Sequence, residues 1–168
     1  MLKVGISFAF PIYMYNFAVL KKELTMNTNR VTPELISSLK ENEIFVFGSN
    51  VQGDHVGGAA RYALINFGAI MGQGEGLQGK SYAIPSCVRI EIKDCRYTKP
   101  FDSAAEMTDY VKRFIEFAKE HVELHFYVTK IGCGIAGMGI ADVAKVFEGC
   151  AALNNVSLPI EFWGYYQV

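Results

Sequence analysis

Of the 16 glycines in this chain, nine fall between Gly48 and Gly79 and four between Gly132 and Gly139. Glycine loses more backbone entropy on folding than any other residue, and a tight turn asks for only about one or two of them. Two such concentrations therefore need a further cause, and close approach of a ligand to bare backbone is the functional one. Each concentration follows a strand-like run and precedes a helix-like one. Ile44-Phe45-Val46-Phe47 is apolar on both faces, as an interior strand covered on both sides would be. From Gly57, the residues Ala60, Ala63, Leu64 and Phe67 recur at helical spacing until Gly68 supplies a stop. Leu124 to Ile131 reads as another strand, Gly132 to Gly139 as its loop, and Ile140, Val143, Ala144, Phe147 and Ala151 as the stripe of the next helix.

The remaining pattern fills in an alternation of strand and helix. Thr32-Pro33-Glu34 predicts a short helix ending near Asn42, with a hydroxyl cap, a first-turn proline and an early carboxylate. Ser81 to Ile84 is expected as a strand stopped by Pro85, and Cys87 to Ile92 as another short one. Ser103 and Glu106 make a capping box for a helix with Met107, Tyr110, Val111, Phe114 and Ala118 inward, reaching about His121. Leu158 to Trp163 reads as a final strand. Such alternation argues a three-layer α/β fold with a mainly parallel core.

A chain of 168 residues that is 51% hydrophobic and 20% charged suits one globular domain with an appendage. Residues 1–30 are taken as that appendage and 31–168 as the domain. Between Lys3 and Lys21 runs an uncharged stretch containing Pro11 and Asn16. It admits three readings: a signal-peptide core, although no A-x-A site follows; an anchor, although a span needs about 20 apolar residues; or an extension upstream of a natural start at Met26. Lys plus Arg (16) nearly cancels Asp plus Glu (17), which disfavours groove binding to nucleic acid. Cys87, Cys95, Cys133 and Cys150 contain no C-x-x-C pair and are read as reduced, in a cytoplasmic protein with no firm membrane partner. His121 and His125 are four apart but lack the H-E-x-x-H signature, so no metal and no resident cofactor is expected.

In a parallel sheet both glycine loops would lie at the carboxyl edge and face each other across one crevice. Each would present a helix N-terminus, so two loops clasping one diphosphate is the simplest reading. Neither glycine run that leads into a helix, Gly48 to Gly58 or Gly132 to Gly139, ends in G-K-[ST], which disfavours an ATP-hydrolysing P-loop there. Gly74-x-Gly76-x-x-Gly79 and Gly132-x-Gly134-x-x-Gly137 both match G-x-G-x-x-G. The first leads to a strand and the second comes too late for an opening Rossmann unit, leaving NAD-type binding as the weaker alternative.

The segment GSNVQGDHVGGAARYALINFG resembles the first phosphate loop of the macro domain family, and IGCGIAGMGIADVAKVF resembles its second. The resemblance covers most of Glu43 to Val168. It implies a three-layer α/β/α fold with a mixed, mainly parallel central sheet. It also implies binding of ADP-ribose or a related nucleotide, free or on ADP-ribosylated macromolecules, with or without hydrolysis of an ADP-ribosyl or ADP-ribose phosphate bond. By this resemblance Ser49 and Asn50 lie at the distal ribose, Gly57, Gly58 and Ala59 line it, and Gly132, Cys133, Gly134, Ile135, Ala136 and Gly137 form the diphosphate loop. Many hydrolases of the family carry an Asp where this chain has Ala59-Ala60-Arg61, and another branch an Asp in the second loop, where Ala136 and Gly137 stand here. The family's adenine-contacting Asp has no counterpart that the sequence identifies. Asp54 and His55 are the remaining candidates for acid/base work, against a turn Asp and a solvated His. Cys133 is a candidate nucleophile or a packed thiol. Tyr165 and Tyr166 are candidates for base stacking or for covering core, and Lys80 and Lys130 for phosphate contact or plain solvation.

Overall fold

The computed structural model describes residues 30–166. The uncharged run around Pro11 and Asn16, and Met26, lie outside them. In chain order the elements are β1 (Glu43–Asn50), α1 (Gly58–Asn66), β2 (Gly76–Gln78), β3 (Ser81–Ile92), β4 (Cys95–Pro100), a 3₁₀ turn (Ala104–Met107) running into α2 (Thr108–Glu120), β5 (His125–Val128), α3 (Ile140–Phe147), a second 3₁₀ turn (Glu148–Ala152), β6 (Val156–Ser157) and α4 (Ile160–Trp163). The sheet order is β2-β3-β1-β5-β6, with β4 also on β3. β1 pairs parallel with β3 and β5, β5 is parallel to β6, and β2 and β4 are antiparallel to β3. The chain is thus α/β with a mixed, mostly parallel sheet.

The double-sided apolar run in β1 is explained by what covers each face. Phe45 and Phe47 point to one side, where they meet Ala60, Ala63 and Phe67 of the α1 region together with Ile36. Ile44 and Val46 point to the other, into a larger cluster with Val111 and Phe114 of α2 and Val143 and Phe147 of α3. Period-2 alternation along a strand assigns adjacent residues to opposite faces, so the covered stretch Ile44 to Phe47 has no polar position.

Three expected elements are corrected. Residues 32–40 form no α-helix. The Thr32 N–H donates to Leu158 O at 2.9 Å, and Val31 bridges Leu158 in parallel. Carbonyls that a helix would use internally are taken by other elements: Tyr62 donates its hydroxyl to Ile36 O (3.0 Å), and Lys80 Nζ donates to Leu39 O and Lys40 O. Pro85 does not stop a strand. β3 runs through it, and the β1 register slips there, Ser49 facing Pro85 and Asn50 facing Cys87. A residue without an N–H is tolerated at such an irregularity. The expected strand Leu158–Trp163 is a two-residue strand, Val156–Ser157, followed by α4. Pro159 precedes the turn, and Phe162 is carried inward, 5.9 Å from the Phe147 ring.

Candidate functional site

Parallel pairing brings the ends of β1 and β5 to the same edge of the sheet, since Val46 is in register with Val128. The chain leaving β1 and the chain leaving β5 therefore enclose one cleft of about 300 Å³. Ser49, Asn50, Asp54, Gly57, Gly58 and Ala59 line it from the first loop, and Gly132, Gly134, Ile135 and Ala136 from the second. Ser86, Cys87, Thr98 and Thr129 complete the floor and one end. The loops touch: a Cβ at Gly58 would lie 3.3 Å from the Ile135 Cδ1, although Ile135 itself is 79% exposed.

The cleft lining includes backbone N–H groups that have no acceptor within the protein. α1 starts at Gly58 with no side-chain cap and no acidic residue in its first turn, so its opening N–H groups keep the partial positive charge of a helix N-terminus. Among the described residues no acceptor meets the N–H groups of Gly58, Ala59 or Ala60, nor those of Gly134, Ile135 or Ala136 across the cleft. The second loop instead closes on itself through Gly137 N to Gly134 O (2.9 Å) and Met138 N to Gly132 O (2.9 Å). This closure corrects the expectation of two helix N-termini in one crevice. The start of α3, with Gly139, Asp142 and Lys145, borders a different groove of about 660 Å³, on the far side of the loop together with Gly137.

The candidate side chains divide sharply. Asn50 is 5% exposed, and its Oδ1 accepts from the Asp54 N–H at 2.9 Å. Its oxygen thus shapes the loop, while its Nδ2 makes only a 3.5 Å contact to Asp54 O. Asp54 lines the cleft with its carboxylate held by Arg89, Nη1 lying 2.8 and 2.9 Å from the two oxygens. His55 is not solvated and is not in the cleft lining. It is fully buried, edge-on to Phe47 at 5.2 Å, with Nε2 3.1 Å from Gln73 O. Since a carbonyl only accepts, Nε2 carries the proton. A buried imidazole pointing at another loop has no reach to a bound ligand.

Cys133 is half-buried, lies outside the cleft lining and has Sγ 3.6 Å from Ile131 O. Burial, and then the Glu161 charge, push its thiol up, with Lys130 opposing. Cys87, which does line the cleft, is also raised by burial. Neither has the lowered pKa that makes a cysteine nucleophilic. Cys87, Cys95, Cys133 and Cys150 are all free thiols. Lys80 lies at the amino end of β3, bound to the 39–40 carbonyls, and so is remote from the cleft. Lys130 lines the cleft but is ion-paired to Glu161, which holds the lysine above and the carboxylate below its ordinary range. Tyr166 covers core, its hydroxyl donating to Ala144 O at 2.9 Å. Tyr165 is 52% exposed.

A smaller cavity of about 90 Å³ adjoins the cleft, sharing Thr129 and Lys130 with it. It is lined by Thr32, Pro33, Glu34, Pro159, Ile160 and Glu161 as well, and Thr32 Oγ1 and Glu161 Oε2 are buried without a partner among the described residues. Both atoms border the same cavity. Nothing in the sequence marked this place, because Thr32 and Glu161 are 129 positions apart and carry no motif.

Neither the models of known protein families nor curated proteins nor solved structures yield a match to this chain. Among the described residues no group of three His, Cys, Asp or Glu side chains is placed to hold a metal ion. No helix among them is long and apolar enough to cross a membrane. Gly74-x-Gly76-x-x-Gly79, one of the two dinucleotide-like patterns, forms the edge strand β2 rather than a turn into a helix.

Proposed function

We propose that the cleft binds ADP-ribose or a closely related nucleoside diphosphate, as a macro-like domain would, and that it reads the same group on ADP-ribosylated macromolecules. The observation that carries this reading is one cleft lined by Gly58 to Ala60 from the first loop and by Gly134 to Ala136 from the second, whose N–H groups meet no acceptor among the described residues. Backbone donors at a helix start and in a tight loop suit phosphate oxygens without any free cation. The two lining residues of formal charge, Asp54 and Lys130, are already paired, so directional N–H groups select the ligand.

In this reading the diphosphate lies between these two stretches and the distal ribose meets Asn50, whose Nδ2 can donate to a hydroxyl. The adjoining cavity takes the base, whose exocyclic amine would donate to Glu161 and whose ring nitrogen would accept from Thr32. Binding without turnover is favoured because His55 is withdrawn and Asp54 is held by Arg89. Hydrolysis rests on Asp54 alone, the one carboxylate that lines the diphosphate cleft among the described residues.

Calorimetric titration of ADP-ribose, ADP and NAD is the test. ADP-ribose should bind, ADP more weakly for want of the second ribose, and unfolding should be delayed by about 2.7 kcal/mol at a hundredfold excess over Kd. Absence of heat or thermal shift with millimolar ADP-ribose would sink the reading.

A further inference from the structure

We infer that His55 is a positioning residue, which fastens the first loop to a strap formed by residues 69–79 and so holds the Gly58 to Ala60 donors in place. The strap is tied on itself and to the loop. Gln78, 2% exposed, donates from Nε2 to Gln73 O (3.1 Å) and accepts the Ile70 N–H at Oε1 (2.5 Å). His55 Nε2 donates to the same Gln73 carbonyl, so one oxygen joins the strap's internal lock to the loop. Gly72 N donates to Gly53 O at 3.0 Å, a second tie between the two segments.

The segments pass so closely that neither crossing point has room for a side chain. A Cβ at Gly53 would lie 2.4 Å from Gln73 N, and one at Gly74 would lie 2.4 Å from Val51 O and 2.5 Å from Asn50 O. The outer end of the strap is anchored to α2, where Arg113 Nε and Nη2 meet Glu75 at 2.6 and 3.1 Å. His55 stands two residues before Gly57, with its ring wedged on Phe47 from the buried side. Its bond is therefore the side-chain link, beside the Gly72 to Gly53 tie, through which a tied strap helps fix where α1 begins.

The affinity arm of the test rests on the proposed ADP-ribose reading, whereas the exchange arm does not. Amide hydrogen exchange of the ligand-free full chain is compared for wild type, His55→Phe, His55→Gln and His55→Asn. Phe keeps the ring on Phe47 but lacks the donor, Gln places an amide N–H near the lost Nε2, and Asn falls short of it. In His55→Phe and His55→Asn, exchange in residues 50–60 and 69–79 should rise together by about tenfold or more, with α2 and α3 unchanged. His55→Gln should stay within about threefold of wild type. ADP-ribose affinity should follow the same order, weakening by about tenfold without the donor. Should His55→Phe fail to fold, the Gln and Asn pair decides alone. Equal exchange in those two, or a rise in one segment without the other, overturns the inference. The coupled exchange rise in His55→Phe and His55→Asn, together with a wild type that binds no ADP-ribose, overturns the function while the strap stands.

Discussion

At the scale of single residues, two glycines in the same motif class have opposite reasons to exist. Gly74 is demanded by the protein, because any Cβ would collide with the backbone of the first loop. Gly74→Ala should cost about 3 kcal/mol of stability through forced backbone movement, measurable by urea unfolding. Gly134 is demanded by nothing in the protein: it lies outside the left-handed region, and no atom lies within 4 Å of its would-be Cβ. Gly134→Val should therefore leave the unfolding midpoint unchanged while removing ADP-ribose binding, since the branched side chain fills the space between the two cleft-lining stretches. Normal binding by Gly134→Val would place the ligand elsewhere. His55 and Lys80 teach the complementary lesson. A polar residue beside a functional motif can be bonded away from it, and only its partner, Gln73 O or the 39–40 carbonyls, reveals this.

At the scale of elements, long amphipathic patterns were legible and short ones were not. The stripes of α2 and α3 bury Val111, Phe114 and Ala118 and Val143, Ala144 and Phe147, with Tyr110, Ile140 and Ala151 of the expected faces only partly covered, and the box at Ser103 and Glu106 forms, with Glu106 Oε1 accepting the Ser103 N–H at 3.1 Å. Strand β4 escaped detection because its connection to β3 is Lys93-Asp94, both at positive φ (48° and 63°), a turn that favours Asn-Gly. The join of β5 and β6 carries a pH dependence. His125 Nε2 lies 2.9 Å from Ser157 Oγ, and burial pushes the imidazole below its ordinary 6.5, with Glu43 opposing and Lys40 adding. The unfolded chain then binds the proton more readily than the folded one, so stability is full above about pH 6.5 and falls as pH drops through and below that value. The lowered carboxyl of Glu43, held first by the Lys40 N–H, adds a loss of the same sign at lower pH. Melting temperature against pH should decline from neutrality toward pH 5, and His125→Gln, which keeps a donor toward Ser157, should flatten the upper part of that decline. An unchanged profile would assign the slope to the carboxylates.

At the scale of the molecule, Arg30 ties the start of the described residues to the segment that carries β6 and α4. Its Nη1 donates to Leu153 O (2.8 Å), its carbonyl accepts the Leu158 N–H (3.0 Å), and its guanidinium lies 5.0 Å from the Trp163 ring. A chain starting at Met26 should therefore fold and give the same ADP-ribose titration as the full chain, checked by circular dichroism and calorimetry. An insoluble or molten product would make the preceding residues part of the core. The alternating pattern and the two glycine concentrations determined by themselves that the chain is α/β and that two loops converge at one sheet edge. Both follow from local rules, since side-chain period and glycine cost act over a few residues. Which residues line the cleft, that α3 begins outside it, that residues 32–40 stay irregular and that His55 bonds to the strap were decided only by tertiary structure. Each depends on a partner far along the chain, such as Leu158 for Thr32 or Gln73 for His55, and hydrogen-bond satisfaction between such partners leaves no periodic trace in the sequence.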